Sequence, residues 1–238
     1  MDSHEGTYTK KFSARVEATF PGIIELDQTA FYHLGGGQPA DYGVLNWDGG
    51  KAYVNDVRKK NRIRHFIDGD SPEVGVQVEG EIDWTRRYSH MRMHTSQHLV
   101  SAVVNELYNS DTVGNQIGAE NSRIDFKPLS ISQSEIEHIQ EIVNDYVSKD
   151  LKVNISEELR SNLENNKDIR SSMSSGLWKT LPANVKKLRV ISIGDIDVCP
   201  CAGTHVRSLK EIGEVEFIKK KNKGSQKTRL TYKLNNFN

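Results

Sequence analysis

His94-Thr95-Ser96-Gln97-His98 sets two imidazoles four residues apart. On a helix, residues at that spacing share a face with Cβ atoms about 5–6 Å apart, so both rings reach one ion. In metalloproteases of related spacing a glutamate general base follows the first histidine. Here that position is Thr95, which disfavours peptidase chemistry of that type. A second cluster, Cys199-Pro200-Cys201-Ala202-Gly203-Thr204-His205, packs two thiols and an imidazole into seven residues, and Pro200 and Gly203 predict a loop there. His94, His98, Cys201 and His205 together make a nitrogen-rich set with one sulfur, the mix that suits Zn²⁺. Cys199 is the alternative sulfur, but pairing H-x3-H with C-x3-H favours Cys201. Asp197 is placed to accept a hydrogen bond from a ligand histidine. The ordinary alternatives are helix histidines with no shared task and a small buried or redox-active cysteine pair.

The elements that must hold these residues read as two halves. Over residues 1–87 the pattern is that of strands. Phe12, Ala14, Val16, Ala18 and Phe20 alternate with mostly polar neighbours. Short runs follow at Gly22–Leu26, Thr29–His33, Tyr42–Trp47, Lys51–Val57, Ile63–Ile67 and Gly75–Ile82, separated by Gly, Pro and Asp turn signals. This predicts a small β-barrel. From Tyr88 to about Asn109 no Gly or Pro interrupts a helical spacing that includes Met91, His94, His98 and Ala102. A second helix is expected over Ser132–Lys149, opened by a Ser132/Glu135 capping box, and a shorter one over Glu157–Asn166. Gly114–Ile117, Arg123–Phe126 and Lys187–Ile193 read as strands, and Gly213–Lys221 with Gln226–Leu234 as a hairpin. The unit 88–238 is therefore α+β, joined to the barrel by a short linker near Asp83–Arg87.

Lys and Arg total 32, as do Asp and Glu, so overall charge gives no argument for a nucleic-acid partner. Local charge does. From Ile218 to Asn238 the chain carries Lys219, Lys220, Lys221, Lys223, Lys227, Arg229 and Lys233 with no acid. Such a hairpin can hold phosphates or serve as a charged β-edge that resists aggregation. Arg86, Arg87 and Arg92 form a second basic patch, beside Tyr88. No apolar run approaches the roughly 20 residues of a membrane helix. The N-terminal stretch is polar and has no apolar core segment, so a secretory signal is not expected in this sequence. Two cysteines only two apart suit a reducing compartment, so a cytoplasmic protein is expected.

Asp83-Trp84-x-x-Arg87-Tyr88-x-x-Met91-Arg92-x-His94-Thr95-x-Gln97-His98-Leu99, with Cys201-Ala202-Gly203-Thr204-His205-Val206 and Glu211-Ile212-Gly213, resembles the editing domain of alanyl-tRNA synthetase. His33-Leu34-Gly35-Gly36-Gly37-Gln38-Pro39-Ala40-Asp41-Tyr42-Gly43 resembles the glycine-rich motif of the free-standing, medium-length AlaX editing proteins. The family's usual Cys-Gly-Gly-Thr-His is Cys-Ala-Gly-Thr-His here, and Leu34 stands where Pro is usual. The resemblance spans nearly the whole chain. It implies a β-barrel followed by the α+β domain shared with threonyl-tRNA synthetase editing regions.

It also implies an activity: zinc-dependent hydrolysis of serine, and often glycine, wrongly attached to alanine tRNA. His94, His98, Cys201 and His205 are then both metal ligands and the catalytic group. The family places amino-acid recognition after the metal helix, at Thr112, Asn115 and Gln116, and Thr95 and Gln97 could also face the substrate. Gly35, Gly36, Gly37 and Gln38 would form a backbone-rich wall that the tRNA end approaches closely; without Gly-Lys-Ser/Thr this is no P-loop. The mischarged acceptor end is the expected partner, held by Arg86, Arg87, Arg92, Lys219, Lys220, Lys221, Lys223 and Arg229. No membrane or protein partner is indicated. A non-catalytic zinc-stabilised RNA-binding module, editing of threonine-system tRNA, and a fragment of a full synthetase stand as alternatives.

Overall fold

The computed structural model describes residues 3–165 and 184–236. Asn166 of the expected short helix and the last two residues of the basic tail lie outside them.

Six strands close into a barrel: β1 (Lys11–Phe20), β2 (Ile23–Leu26), β3 (Gly43–Trp47), β4 (Gly50–Lys59), β5 (Ile63–Gly69) and β6 (Gln77–Ile82). Their order around it is β1-β2-β5-β4-β3-β6. The two-residue alternation sends Ala14, Val16, Leu45, Ala52, Val54 and Val78 inward as its core. Closure removes the sheet edges that would otherwise need covering. The predicted Thr29–His33 strand is not formed. Ala30, Phe31 and Tyr32 are buried as their apolar character suggests, but side chains answer their backbone. Arg87 donates to Ala30 O at 2.6 Å, and Tyr32 N–H donates to Asp41 at 2.6 Å. The segment is an irregular arm, and polar groups remote in sequence replace the ladder.

No linker separates the halves. Asp83 alone follows β6 and caps α2 (Trp84–Tyr108), its carboxylate accepting from Arg86 N–H at 3.1 Å. The helix thus starts four residues before the expected Tyr88. It ends where Asn109 turns left-handed. A short helix α1 (His4–Tyr8), not anticipated from the sequence, reaches across from the barrel side. Its His4 meets Val153 O at 2.6 Å, and Tyr8 donates to Glu211 at 2.6 Å.

In the second half, β7 (Asp111–Gln116) and β8 (Asn121–Lys127) join the hairpin of β12 (Glu214–Asn222) and β13 (Thr228–Asn235) in a sheet ordered β12-β13-β8-β7. The helix α3 (Gln133–Ser148) opens with the expected Ser132/Glu135 capping box. It buries Ile136, Ile139, Val143 and Val147, each side chain stabilising by roughly 1.5–3 kcal/mol. A second sheet is ordered β11-β10-β9, from β9 (Val153–Leu159), β10 (Lys187–Ile193) and β11 (Asp197–Pro200). Two expectations fail here for one reason. Glu157–Leu159 pairs with β10 rather than turning helical, leaving only α4 (Arg160–Asn165). Cys199-Pro200 likewise pairs with β10, so the loop begins at Cys201. Pairing with a central strand overrides local preference. The molecule is thus mixed α and β, with a closed barrel beside an α+β half whose core centres on Met91, Leu99, Val103, Ile139 and Tyr232.

Candidate metal centre

The rings of His94 and His98 lie one above the other on the buried face of α2, with centroids 5.4 Å apart. The loop after β11 brings Cys201 and His205 against them. One ligand atom from each of His94, His98, Cys201 and His205 lies within 4.8 Å of the others. Cys201 Sγ is 3.5 Å from His94 Nε2 and 3.4 Å from His205 Nε2. Cys199 is not in the group; it sits in β11 opposite Ile191.

Each ring is backed by an oxygen at Nδ1. His94 Nδ1 meets Gln38 Oε1 at 2.8 Å, His98 Nδ1 meets Asp197 Oδ2 at 2.9 Å, and His205 Nδ1 meets Thr95 Oγ1 at 3.1 Å. The Gln38 amide is oriented by its neighbours: its oxygen also accepts from Thr204 N–H at 3.1 Å, and its nitrogen donates to Thr204 Oγ1 at 2.8 Å. The Gln38 and Asp197 oxygens accept only, which fixes the proton at Nδ1 of His94 and His98 and leaves Nε2 to face the cluster. The Thr95 hydroxyl, which also accepts from Val206 N–H, can serve either tautomer of His205. An oxygen partner of this kind is the usual backing of metal-ligating histidines. Three ring nitrogens and a sulfur converge in a buried space, and the arrangement could hold a metal ion.

The electrostatics agree. Burial alone would raise the Cys201 thiol, but the His94 and His205 imidazoles outweigh it and hold the thiol well below its ordinary value. Burial pushes His205 well down, and His94 adds to the shift. Burial would also lower His98, yet hydrogen bonds to Asp197 and Cys201 draw it up to about 10. The cluster favours a thiolate beside a proton that a metal cation would replace.

Backbone geometry holds the loop in place. Arg189 donates Nη1 to Cys201 O at 2.6 Å, and Cys201 N–H donates to Arg189 O at 3.0 Å. A Cβ at Gly203 would collide with the His94 ring. The neighbouring Ala202 is exposed, so the loop accommodates a side chain there, whereas packing requires glycine at Gly203. In the glycine-rich loop, Gly35 and Gln38 exchange backbone bonds of 3.2 and 2.9 Å. Gly36 and Gly37 between them both have positive φ, which glycine takes without strain. A Cβ at Gly37 would strike the Asn115 side chain.

A polar wall runs along α2 and β7 near this loop. Asn115 donates to Gln97 Oε1 at 3.2 Å, Gln97 donates to Ser101 Oγ at 2.8 Å, and Thr112 donates to Ser101 Oγ at 2.7 Å. Gln97, Thr112 and Asn115 are thus brought together as their sequence positions suggested. Ser101, which joins Gln97 to Thr112, was not anticipated, because a serine inside a helix carries no signal of its own. Three other residues named as candidate substrate contacts sit apart from this wall. Gln38 and Thr95 are fully buried behind His94 and His205 and orient those rings. Gln116 points to the opposite face of β7, opposite Arg123.

The expected RNA contacts also divide. Arg87 is not a surface residue. It is fully buried; its Nε bonds Asp41 at 3.0 Å, Nη1 donates to Thr7 O at 2.7 Å, and Nη2 donates to Ala30 O. The cation ties the arm and α1 to α2. Arg92 spends its guanidinium on Ile212 O, at 3.0 and 2.6 Å. Lys220 donates to Ile131 O, and Arg229 pairs with Asp125 at 2.5 Å. Tyr88 packs on Trp84 and donates to Glu211. Arg86 lies over the Tyr42 ring at 3.9 Å. Lys219, Lys221 and Lys223 are exposed.

Two family models match the chain. That for the threonyl and alanyl tRNA synthetase second additional domain covers residues 188–231. That for class II (A) tRNA synthetases covers residues 5–86. Fold and cluster therefore place the chain in the class of synthetase-type editing domains. Among its relatives, the alanyl-tRNA editing protein AlaX-M of Methanosarcina barkeri is 36% identical over 95% of both chains. AlaX-L of Pyrococcus horikoshii is 35% identical over 82% of this chain and 47% of its own length. The alanine–tRNA ligase of Pyrobaculum neutrophilum is 36% identical over 91% of this chain and 25% of its own. The chain belongs to the AlaX family of alanyl-tRNA editing proteins. Among the described residues, no helix is long and apolar enough to cross a membrane.

Proposed function

We propose that the protein is a trans-editing deacylase that hydrolyses serine, and glycine, from mischarged alanine tRNA. The single observation that carries this reading is the convergence of three oxygen-backed histidines and a thiolate beside the polar wall of Gln97, Ser101, Thr112 and Asn115. His94, His98, Cys201 and His205 would hold Zn²⁺, a metal their one-sulfur, three-nitrogen set suits. Bound there, the ion supplies Lewis acidity toward an ester carbonyl.

The chain's own residues set position and selectivity. In the reaction the oxygen of water forms the new bond to the carbonyl carbon. The carbon–oxygen bond to the terminal ribose breaks, and that ribose oxygen leaves with a proton. Gln38, Thr95 and Asp197 keep the imidazoles aimed throughout. The polar wall offers a serine hydroxyl hydrogen bonds that an alanine methyl cannot make, and a site built that way can discriminate by as much as about 10⁴-fold. Glycine, like alanine, offers no hydroxyl, so its release rests on a contribution other than this wall. Gly35, Gly36 and Gly37, on the 1–87 unit, allow the tRNA terminus close to a centre carried by the 88–238 unit. A cytoplasmic, reducing setting keeps Cys201 a ligand.

Single-turnover hydrolysis of serine-, glycine- and alanine-charged alanine tRNA tests the reading. Serine and glycine are expected to be released and alanine spared. Equal release of all three, or none from any, contradicts it.

A further inference from the structure

The outward face of the β12-β13-β8-β7 sheet takes no part in the metal centre. Strand register lines up its side chains in rows. Lys219 of β12 lies opposite Thr231 of β13, Thr231 opposite Arg123 of β8, and Arg123 opposite Gln116 of β7. With neighbouring strands about 4.8 Å apart, this row of hydrogen-bond donors crosses about 14 Å of sheet. In the next row, Lys221 lies opposite Arg229 and Arg229 opposite Asp125. Lys220 falls on the other face, where it donates to Ile131 O.

Gln116, Arg123, Lys219, Lys221, Arg229 and Thr231 line one open groove of about 420 Å³. Among the described residues no carboxylate lines it. The nearest, Asp125, is already engaged by Arg229 at 2.5 Å and Lys227 at 3.2 Å. Among the described residues Arg123, Lys219, Lys221 and Lys223 form no ion pair. Lys221 and Arg229 crowd Lys223 enough to lower its ammonium below the ordinary lysine value. Uncompensated cations set in rows on a rigid sheet are an electrostatic footprint for a polyanion. The row also has a direction. At its Gln116 end, the adjoining Ile117 N–H donates to Gly37 O at 2.9 Å, and Asn115 begins the polar wall.

We propose that this face is a phosphodiester track that leads the RNA acceptor strand from the β12–β13 hairpin to the edge of the site, with Arg123 as its central cation. This rests on the reading of the protein as a tRNA deacylase. It removes Arg87, Arg92 and Lys220 from the RNA contacts and adds Arg123, Thr231 and Gln116.

The test is binding of uncharged alanine tRNA to the full chain by fluorescence anisotropy, from about 50 to about 200 mM monovalent salt. R123Q, the triple variant R123Q/K219Q/K221Q and the remote control K60Q are compared with wild type, with thermal unfolding as the check on folding. R123Q alone is expected to reduce the salt slope by about 1, and the triple variant by about 2–3 with at least tenfold weaker binding. K60Q is expected to match wild type. An unchanged slope and affinity in the triple variant overturns the track, as does an equal loss in K60Q. Loss of heparin binding with tRNA binding intact also overturns it, since the groove would then serve another polyanion. Uncharged tRNA separates the two claims: track-dependent binding without any deacylation would sink the deacylase and leave the track.

Discussion

His65 in the barrel and His94, His98 and His205 in the other half are all buried imidazoles, yet their surroundings differ in kind. His65 is answered on both sides by the protein. Its Nε2 meets Thr29 Oγ1 at 2.9 Å and its Nδ1 meets Ile24 O at 3.3 Å. Burial lowers it to about 4, so it stays neutral near pH 7. In the cluster each ring has a protein oxygen on one nitrogen only, and the second nitrogen faces a shared point beside a thiolate. Burial therefore does not distinguish a ligand from a core histidine. Convergence does: His4 and His90 also leave a ring nitrogen without a partner, but only in the cluster, among the described residues, do such nitrogens meet one another and a sulfur. Arg87 teaches a related lesson for charge, since it is fully buried with Asp41, Ala30 O and Thr7 O as its partners and is not on the surface for a ligand.

The comparison can be broken at several points. Cys201→Ala removes the sulfur where the four ligands meet. Its effect should exceed the roughly 100-fold upper range seen for losing a backing partner, with bound metal and deacylation falling together while the His65→Gln protein keeps both. Arg87→Met leaves Asp41 buried without its cation, which typically costs about 3–5 kcal/mol. Urea unfolding should show that loss.

The third prediction concerns acid. Unfolded His65 takes a proton below about 6.5, while the folded one refuses it until about 4. The unfolded state thus binds more protons in that window, and stability falls as pH drops through it, by about 3 kcal/mol in all, levelling off below. His65→Gln should flatten that part of the profile. The smallest expected effect is that of Gln38→Ala, which leaves the four ligands in place but frees His94 to rotate. Metal affinity should fall about 10–100-fold, read by competition with a chelator, whereas Thr29→Ala, which strips the comparable oxygen from His65, should leave metal affinity unchanged.

The histidine pair of the cluster was legible because helical spacing is local. His94 and His98 declare a shared face within five residues, and the barrel's strands declare themselves by alternation in the same way. What acts through distant pairing was not legible. Glu157–Leu159 became strand because β10 lay beside it. Thr29–His33 lost its strand because Asp41 and Arg87 captured its backbone. Arg87 read as a surface cation because its partner lies 46 residues away. Asp197 could be anticipated behind a histidine from its place beside the cysteines. Gln38 and Thr95 could not, since a glutamine in a glycine-rich loop and a threonine inside a helix look equally suited to meeting substrate.

The measurement closest to the central claim follows metal content and serine release from mischarged alanine tRNA in the same sample as a chelator is titrated in. The account predicts that the two fall in proportion and that added zinc restores both. Serine release that persists after the metal has gone would contradict it.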